Sequence, residues 1–163
     1  MLALFTRMAR YIYLRKGFGD LIEDGETGRP IASTLWLPSG ETKNVSLYAE
    51  FAGAMGMLRD GGIKSLTRGF ALDRTLTSKH PAEPHYYLFS IATDPQFRGM
   101  AFGGQVLRPA LERCDREGMP AFLENSKERN IPFYMAHGFE ITEEVSEPIP
   151  GCPPMWMMYR KPR

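Results

Sequence analysis

The sequence predicts a mixed α/β fold, one sheet with helices against it, and three observations carry that prediction. "HYYLFSIAT" (85–93) is a continuous apolar run of the kind found in strands buried on both faces. "DPQFRGMAFGGQV" (94–106) follows it, with Gly99, Ala101, Gly103 and Gly104 at a strand-to-helix junction. Helical and strand patterns then alternate to the C-terminus, as in layered α/β proteins. At 163 residues and 43% apolar composition, the chain suits a single domain, 1–163, with one core.

Each element has its own signal. Leu4, Phe5, Met8, Tyr11 and Ile12 fit one face of an N-terminal amphipathic helix. No acid precedes Asp20, so a targeting helix is the alternative reading, but Arg7, Arg10 and Arg15 leave no apolar core of signal-peptide length. "DLIEDGETGRPIASTLWLP" reads as a hairpin of two strands around a glycine-rich turn, ending at Pro38. Residues 45–78 have helical spacing through Leu47, Phe51, Met55 and Leu58, then Leu66, Phe70 and Leu72, with a break expected at Gly61-Gly62. The two prolines of "HPAEP" (80–84) make a stiff connector.

After the 85–93 strand, residues 102–117 are expected to be a helix, with Phe102, Val106, Ala110, Leu111 and Cys114 on one stripe. Pro109 should kink it, because proline gives no bond to the carbonyl of Gln105. A strand at 119–125, a short helix at 130–138, a strand at "FEITEEV" and a last strand at "PMWMMYRK" complete the order.

Composition excludes several classes. Net charge is +1 with acids and bases interspersed, so nothing suggests a nucleic-acid partner. No segment approaches a transmembrane span. Cys114 and Cys152 form neither a disulfide framework nor a metal-like spacing, which points to a reduced, cytoplasmic setting without a structural metal.

A glycine-rich turn opening a helix is an anion cradle, since the first helical amides are unpaired and the helix dipole favours negative charge. The stretch lacks the G-K-[ST] ending of a P-loop and the glycine spacing of a dinucleotide fold. Gln96-x-x-Gly99-x-Ala101, followed by Gly103, instead resembles the Q/R-x-x-G-x-G/A signature of the GCN5-related N-acetyltransferase (GNAT) superfamily. Downstream, Leu123-Glu124, Asn130, and Tyr134 with Gly138-Phe139 resemble the second half of that fold's cofactor site, in the same order. From "HPAEPHYYL" to the C-terminus, the chain looks like the branch that includes puromycin N-acetyltransferase.

The resemblance implies a GNAT-like mixed central sheet with flanking helices that binds acetyl-CoA. Against the family pattern the usual first strand and helix are missing, so an uncovered sheet edge and a homodimer covering it are expected. In the family's manner, Ile91, Ala92 and Thr93 would bond the pantetheine arm. Arg98, Gly99, Met100, Ala101, Gly103 and Gly104 would offer backbone amides to the pyrophosphate, and Asn130 would cap its helix and meet the cofactor.

Tyr134 is the expected acid for the departing thiolate, and a helix-packing tyrosine is the plain alternative. Glu124 is the first candidate for the base that deprotonates the acceptor amine, against a reading as an acid satisfied by nearby backbone. His80 and His85 are further proton carriers, although a histidine beside prolines is more often a surface residue. His137 is expected at a helix C-terminus, and Trp36 and Trp156 in the core or the cleft wall. The implied activity is direct transfer of acetyl from acetyl-CoA to a small-molecule primary amine, within a ternary complex. The alternatives are a non-catalytic acyl-CoA-binding module and a protein or peptide N-acetyltransferase.

Overall fold

A computed structural model describes residue 6, residues 9–40 and residues 47–163, with backbone alone at 11–12, 47–54, 56–57 and 60–61. Leu4, Phe5 and Met8 of the expected N-terminal helix lie outside the described residues. The segment that follows is helical, with π-type turns at Ala9–Tyr13 leading into α1 (Leu14–Lys16). Tyr13 ends this piece fully buried and stacks on Phe89, ring centroids 3.8 Å apart.

The expected hairpin is β1 (Leu21–Glu23) and β2 (Pro30–Leu37), antiparallel, its turn held by Asp24, whose carboxylate accepts from the Thr27 amide and hydroxyl. α2 (Leu47–Thr77) is interrupted at Gly62, whose φ of 67° and ψ of −172° only glycine adopts readily. The break therefore falls inside the Gly61-Gly62 pair that the sequence marks.

β3 (Tyr86–Thr93), α3 (Phe102–Arg116) and β4 (Ala121–Asn125) form the parallel crossover, followed by α4 (Ile131–Ala136), β5 (Glu140–Val145) and β6 (Met155–Arg160). The strands make one six-stranded mixed sheet in the order β1-β2-β3-β4-β6-β5. Its edges are a three-residue strand and a strand with three glutamates, both poor templates for further pairing.

The two faces of the sheet carry separate cores. Leu107, Ala110, Leu111 and Cys114 of α3 pack on Trp36, Leu88, Leu123 and Met158, with Tyr134 and Phe139 from the α4 end. On the opposite face Tyr13 and Leu76 meet Tyr87, Phe122, Met155 and Met157. Trp36 is therefore a core residue, and Trp156 packs in the same cluster. Burying a side chain of this size contributes about 2–3 kcal/mol by area.

α3 continues through Pro109, the position of the expected kink, with its buried stripe running from Val106 to Cys114. One expectation is corrected. β3 is fully buried only over Tyr86–Leu88; beyond that point its neighbour β4 has left it.

Candidate active site

The parting of β3 and β4 is the central feature. They pair as parallel neighbours at Tyr86, Tyr87 and Leu88 against Ala121, Phe122 and Leu123, and no further. β3 continues along β2 instead, with Ser90 to Thr93 opposite Leu35 to Ala32. A register shift lies between Leu35 and Trp36, which face Ser90 and Leu88, so Phe89 is an extra residue on β3. Such a bulge bends and twists its strand, which accounts for the divergence.

Backbone directions in the gap follow from the pairing. Asp94 donates its amide to Ile31 O at 2.8 Å, while Thr34, opposite Ile91, donates its amide away from β3 to Asp20 O at 2.9 Å. Antiparallel strands alternate bonded and non-bonded pairs, so Ala92 faces β2. Ile91 and Thr93 then turn their amides and carbonyls toward the side that β4 has vacated. Of the three expected pantetheine contacts, two therefore point their backbone into the gap and Ala92 does not.

The same strand leads into the cradle. Asp94 accepts from the Gln96 amide at 2.8 Å and starts a single tight turn, Pro95–Phe97. Gly99 has φ 81° and Ala101 φ 61°, the latter in the left-handed region without being glycine. These reversals deliver the chain to α3, whose first helical bond runs from Gln105 N–H to Ala101 O at 3.1 Å. Among the described residues nothing accepts from the amides of Gly99, Ala101, Phe102, Gly103 or Gly104. Met100 differs, because its amide is donated to Phe97 O and its side chain is exposed.

The glycines have distinct roles. A Cβ on Gly99 would meet nothing within 4 Å, so that position stays open. A Cβ on Gly103 would touch Phe133 at 3.5 Å and Thr93 Oγ1 at 3.6 Å, and one on Gly104 would lie 2.9 Å from His137 Nε2. The missing Cβ of Gly104 thus serves the close approach of α4 to α3, while its amide stays open. His137, just past the end of α4, is fixed there by its Nδ1–H, which donates to Phe133 O at 2.7 Å.

Asn130 stands before α4, but its side chain makes no capping bond. The reason is local: a tight turn, Glu128–Asn130, runs directly into α4, so Asn130 is already helical at φ −90°, ψ −11°.

Tyr134 is buried on the α3 face of the sheet, edge-on to Phe133 (5.3 Å) and Phe139 (6.0 Å). Its hydroxyl bonds to no described residue, and burial raises its pKa above the ordinary value.

Glu124 is the first β4 residue beyond the last pair with β3, and it points to the opposite face. Two side chains hold it: His80 Nε2 lies 2.9 Å from Oε1, and the Tyr87 hydroxyl donates to Oε2 at 3.1 Å. His80 is accordingly not a surface residue; its ring packs on Phe122 and Tyr87 at 4.7 and 4.8 Å. His85 lies 3.4 Å from His80 Nδ1. Beside them the Tyr13 hydroxyl is buried with no partner among the described residues.

The arrangement at Glu124 was not visible in the sequence: His80 and Glu124 are 44 residues apart and Tyr13 lies further still. The Phe89 bulge likewise has no turn residue to announce it.

The acetyltransferase (GNAT) family profile matches residues 27–139, which covers the cradle, both strands of the gap and Tyr134. The chain belongs to the GNAT family. An uncharacterized N-acetyltransferase of Schizosaccharomyces pombe is 28% identical over 60 residues, 37% of this chain and 24% of that protein. A probable serine/threonine-protein kinase of Dictyostelium discoideum is 28% identical over 80 residues, 48% of this chain and 11% of that protein. The chain thus spans a quarter or less of the length of these curated relatives.

Among solved structures, a histone acetyltransferase HPA2 and related acetyltransferase from Corynebacterium glutamicum superposes with TM-score 0.66 at 21% identity. The match covers 99% of this chain and 73% of that one. Arylalkylamine N-acetyltransferase 2 from Aedes aegypti also gives TM-score 0.66, at 11% identity over 100% and 81% of the two chains. These likenesses share the six-stranded mixed-sheet fold with flanking helices. Among the described residues no helix is long and apolar enough to cross a membrane.

Proposed function

We propose that this chain is an acetyl-CoA-dependent N-acetyltransferase that acts on a primary amine by direct transfer in a ternary complex. One observation carries the reading: the gap between β3 and β4 and the open amides at the start of α3 lie along one continuous run of chain. An elongated ligand with a thioester arm at one end and phosphates further along matches that layout. Ile91 and Thr93 would bond the arm through backbone, and Gly99, Ala101, Phe102, Gly103 and Gly104 would bond the phosphates. Acetyl-CoA, when bound, supplies an activated acyl group.

The chain's own residues then divide the proton work. Glu124, on one face of the sheet, takes a proton from the acceptor ammonium so that a lone pair is available for attack. Tyr134, on the other face, holds a proton at its hydroxyl for the departing sulfur. Its raised pKa keeps it a phenol through neutral and mildly alkaline pH. Neither Cys114, buried in the core, nor Cys152 is assigned a covalent role. Burial raises the Cys114 thiol to a pKa of about 11, which suits a packed side chain and not a nucleophile.

For the acceptor we favour a small amine, in keeping with the resemblance to the puromycin N-acetyltransferase branch and with the arylalkylamine enzyme among the structural neighbours. The histone-acetyltransferase-related neighbour favours testing a peptide amine beside it. Thiol release from acetyl-CoA should be followed with puromycin, 2-phenylethylamine and a short peptide with a free α-amino group. Release that depends on a small amine supports the reading, and release with the peptide alone moves the acceptor class to proteins. Acetyl-CoA binding without release in any case leaves a non-catalytic acyl-CoA-binding module.

A further inference from the structure

Glu124 is not an isolated base. His85 Nδ1 lies 2.8 Å from the Glu83 carbonyl, His85 Nε2 lies 3.4 Å from His80 Nδ1, and His80 Nε2 lies 2.9 Å from Glu124 Oε1. These three contacts can be counted in protons. The Glu83 carbonyl only accepts, so His85 must donate from Nδ1. Neutral His85 then accepts at Nε2, and His80 donates from Nδ1. The contact between His80 Nε2 and Glu124 needs a third proton, whereas two neutral imidazoles beside a carboxylate supply only two. The bonded array therefore contains one proton shared between His80 and Glu124, with His85 as its other neighbour.

We propose that Glu124, His80 and His85 form one proton relay, which carries the acceptor's proton from the β3–β4 gap to solvent. It rests on the acetyl-transfer reading above and adds its proton outlet. In each turnover His80 gives its Nδ1–H proton to His85 Nε2, and His85 gives its Nδ1–H proton to water. An N–H bond of the acceptor ammonium breaks and an O–H bond forms at Glu124. Once both imidazole rings have turned over, that proton passes to the bare His80 nitrogen, so Glu124 is a carboxylate again and the array holds its original three protons.

The surroundings suit transfer in that direction. Tyr87 donates to Glu124, and its pKa is pushed well up by burial and by Glu124 itself, so it competes for no proton. Tyr13, raised by burial and then by Glu124 and Asp73, also stays a phenol. His85 has its pKa lowered by burial first, with a smaller lowering from His80 against a raising bond to Glu83, so it passes a proton on rather than keeping it. Lys79 is tied to Glu143, and the Glu83 carboxylate, which accepts from the Tyr159 hydroxyl at 2.6 Å, is a negative charge beside His85 at the outer end of the array. Both histidine rings pack on Phe122, and His85 is itself part-exposed, so the outer end of the array meets solvent.

The first test needs no acceptor. In protein labelled with ¹⁵N-histidine, His80 should show a protonated Nδ1 and, at Nε2, the signature of a proton shared with Glu124, and Glu124→Gln should abolish the second signature. His85 should be the neutral Nδ1–H form. A His80 Nε2 that shares no proton, or nitrogen shifts indifferent to Glu124→Gln, overturns the array. The second test is the pH–rate profile with puromycin or 2-phenylethylamine. His80→Gln should lower kcat about tenfold or more and move the ascending limb, with acetyl-CoA affinity unchanged. His85→Gln, at a half-exposed site, should do the same more weakly. Unchanged kcat and profile in both variants refute the relay. Absence of turnover with every amine refutes the transfer reading instead, and the nitrogen spectra still decide whether the array shares a proton.

Discussion

Ala101→Gly tests the backbone of the cradle directly. Ala101 is the one non-glycine with positive φ among the described residues, at φ 61°, ψ 7°, immediately before α3. An L-residue in that region costs about 1–2 kcal/mol relative to glycine. Glycine gives back about 0.4–1 kcal/mol through its freer unfolded chain. The Ala101 methyl is exposed, so its removal forfeits no burial. The difference is a net stabilisation of about 0.8 kcal/mol, or a rise in Tm of roughly 2–3 °C for a chain of this size. Gly99→Ala is the mirror experiment: φ is 81° and no atom lies within 4 Å of the new Cβ, so strain alone should lower stability by about 1 kcal/mol. Thermal melts of the two variants at matched concentration read both signs. A Tm lowered by Ala101→Gly would refute the left-handed turn into α3.

Other outcomes follow from the same contacts. Gly104→Ala places a Cβ 2.9 Å from His137 Nε2, while the ring is pinned to Phe133 O. Overpacking of about 1–3 kcal/mol should therefore exceed the helix-propensity gain of about 1 kcal/mol, and Tm should fall. Tyr134→Phe removes a hydroxyl that bonds to no described residue. Stability should change little, acetyl-CoA affinity should hold, and kcat should fall about a hundredfold if the phenol is the acid. Asp115 receives two bonds from the buried Arg160, at 2.7 and 2.8 Å, and its pKa is lowered chiefly by them. A depressed carboxylate stabilises the fold above its unfolded pKa and loses that contribution as pH falls through the lower folded value. Asp115→Asn should therefore cost about 2 kcal/mol near neutral pH and flatten the acid limb of the stability curve, measured by urea melts below pH 4.

Much of this architecture was legible because its signals are local. The turn around Asp24, the break at Gly62 and the alternation of strands and helices after His85 depend on residues close in sequence. The family signature was legible because Gln96, Gly99 and Ala101 lie within six positions. What escaped depends on distant partners. Phe89 becomes a bulge only because β2 pairs on both sides of it, and that bulge closes the fully buried part of β3 at Leu88. Asn130 has a capping side chain, yet the tight turn before it takes the cap's place. Gly104 reads like a ligand glycine, and its bare Cα is also required by His137, a constraint the sequence does not show. The prolines around His80 suggest a surface connector, whereas the turn after α2 carries the ring onto Phe122 and Glu124.

The central claim is that the gap and the cradle together bind acetyl-CoA, and titration calorimetry of the 163-residue chain against acetyl-CoA tests it most directly. With coenzyme A and ATP as controls, binding of acetyl-CoA and coenzyme A at micromolar Kd, about 8 kcal/mol, and weaker binding of ATP is the predicted result. A folded protein that binds none of the three, or ATP as tightly as acetyl-CoA, would contradict it.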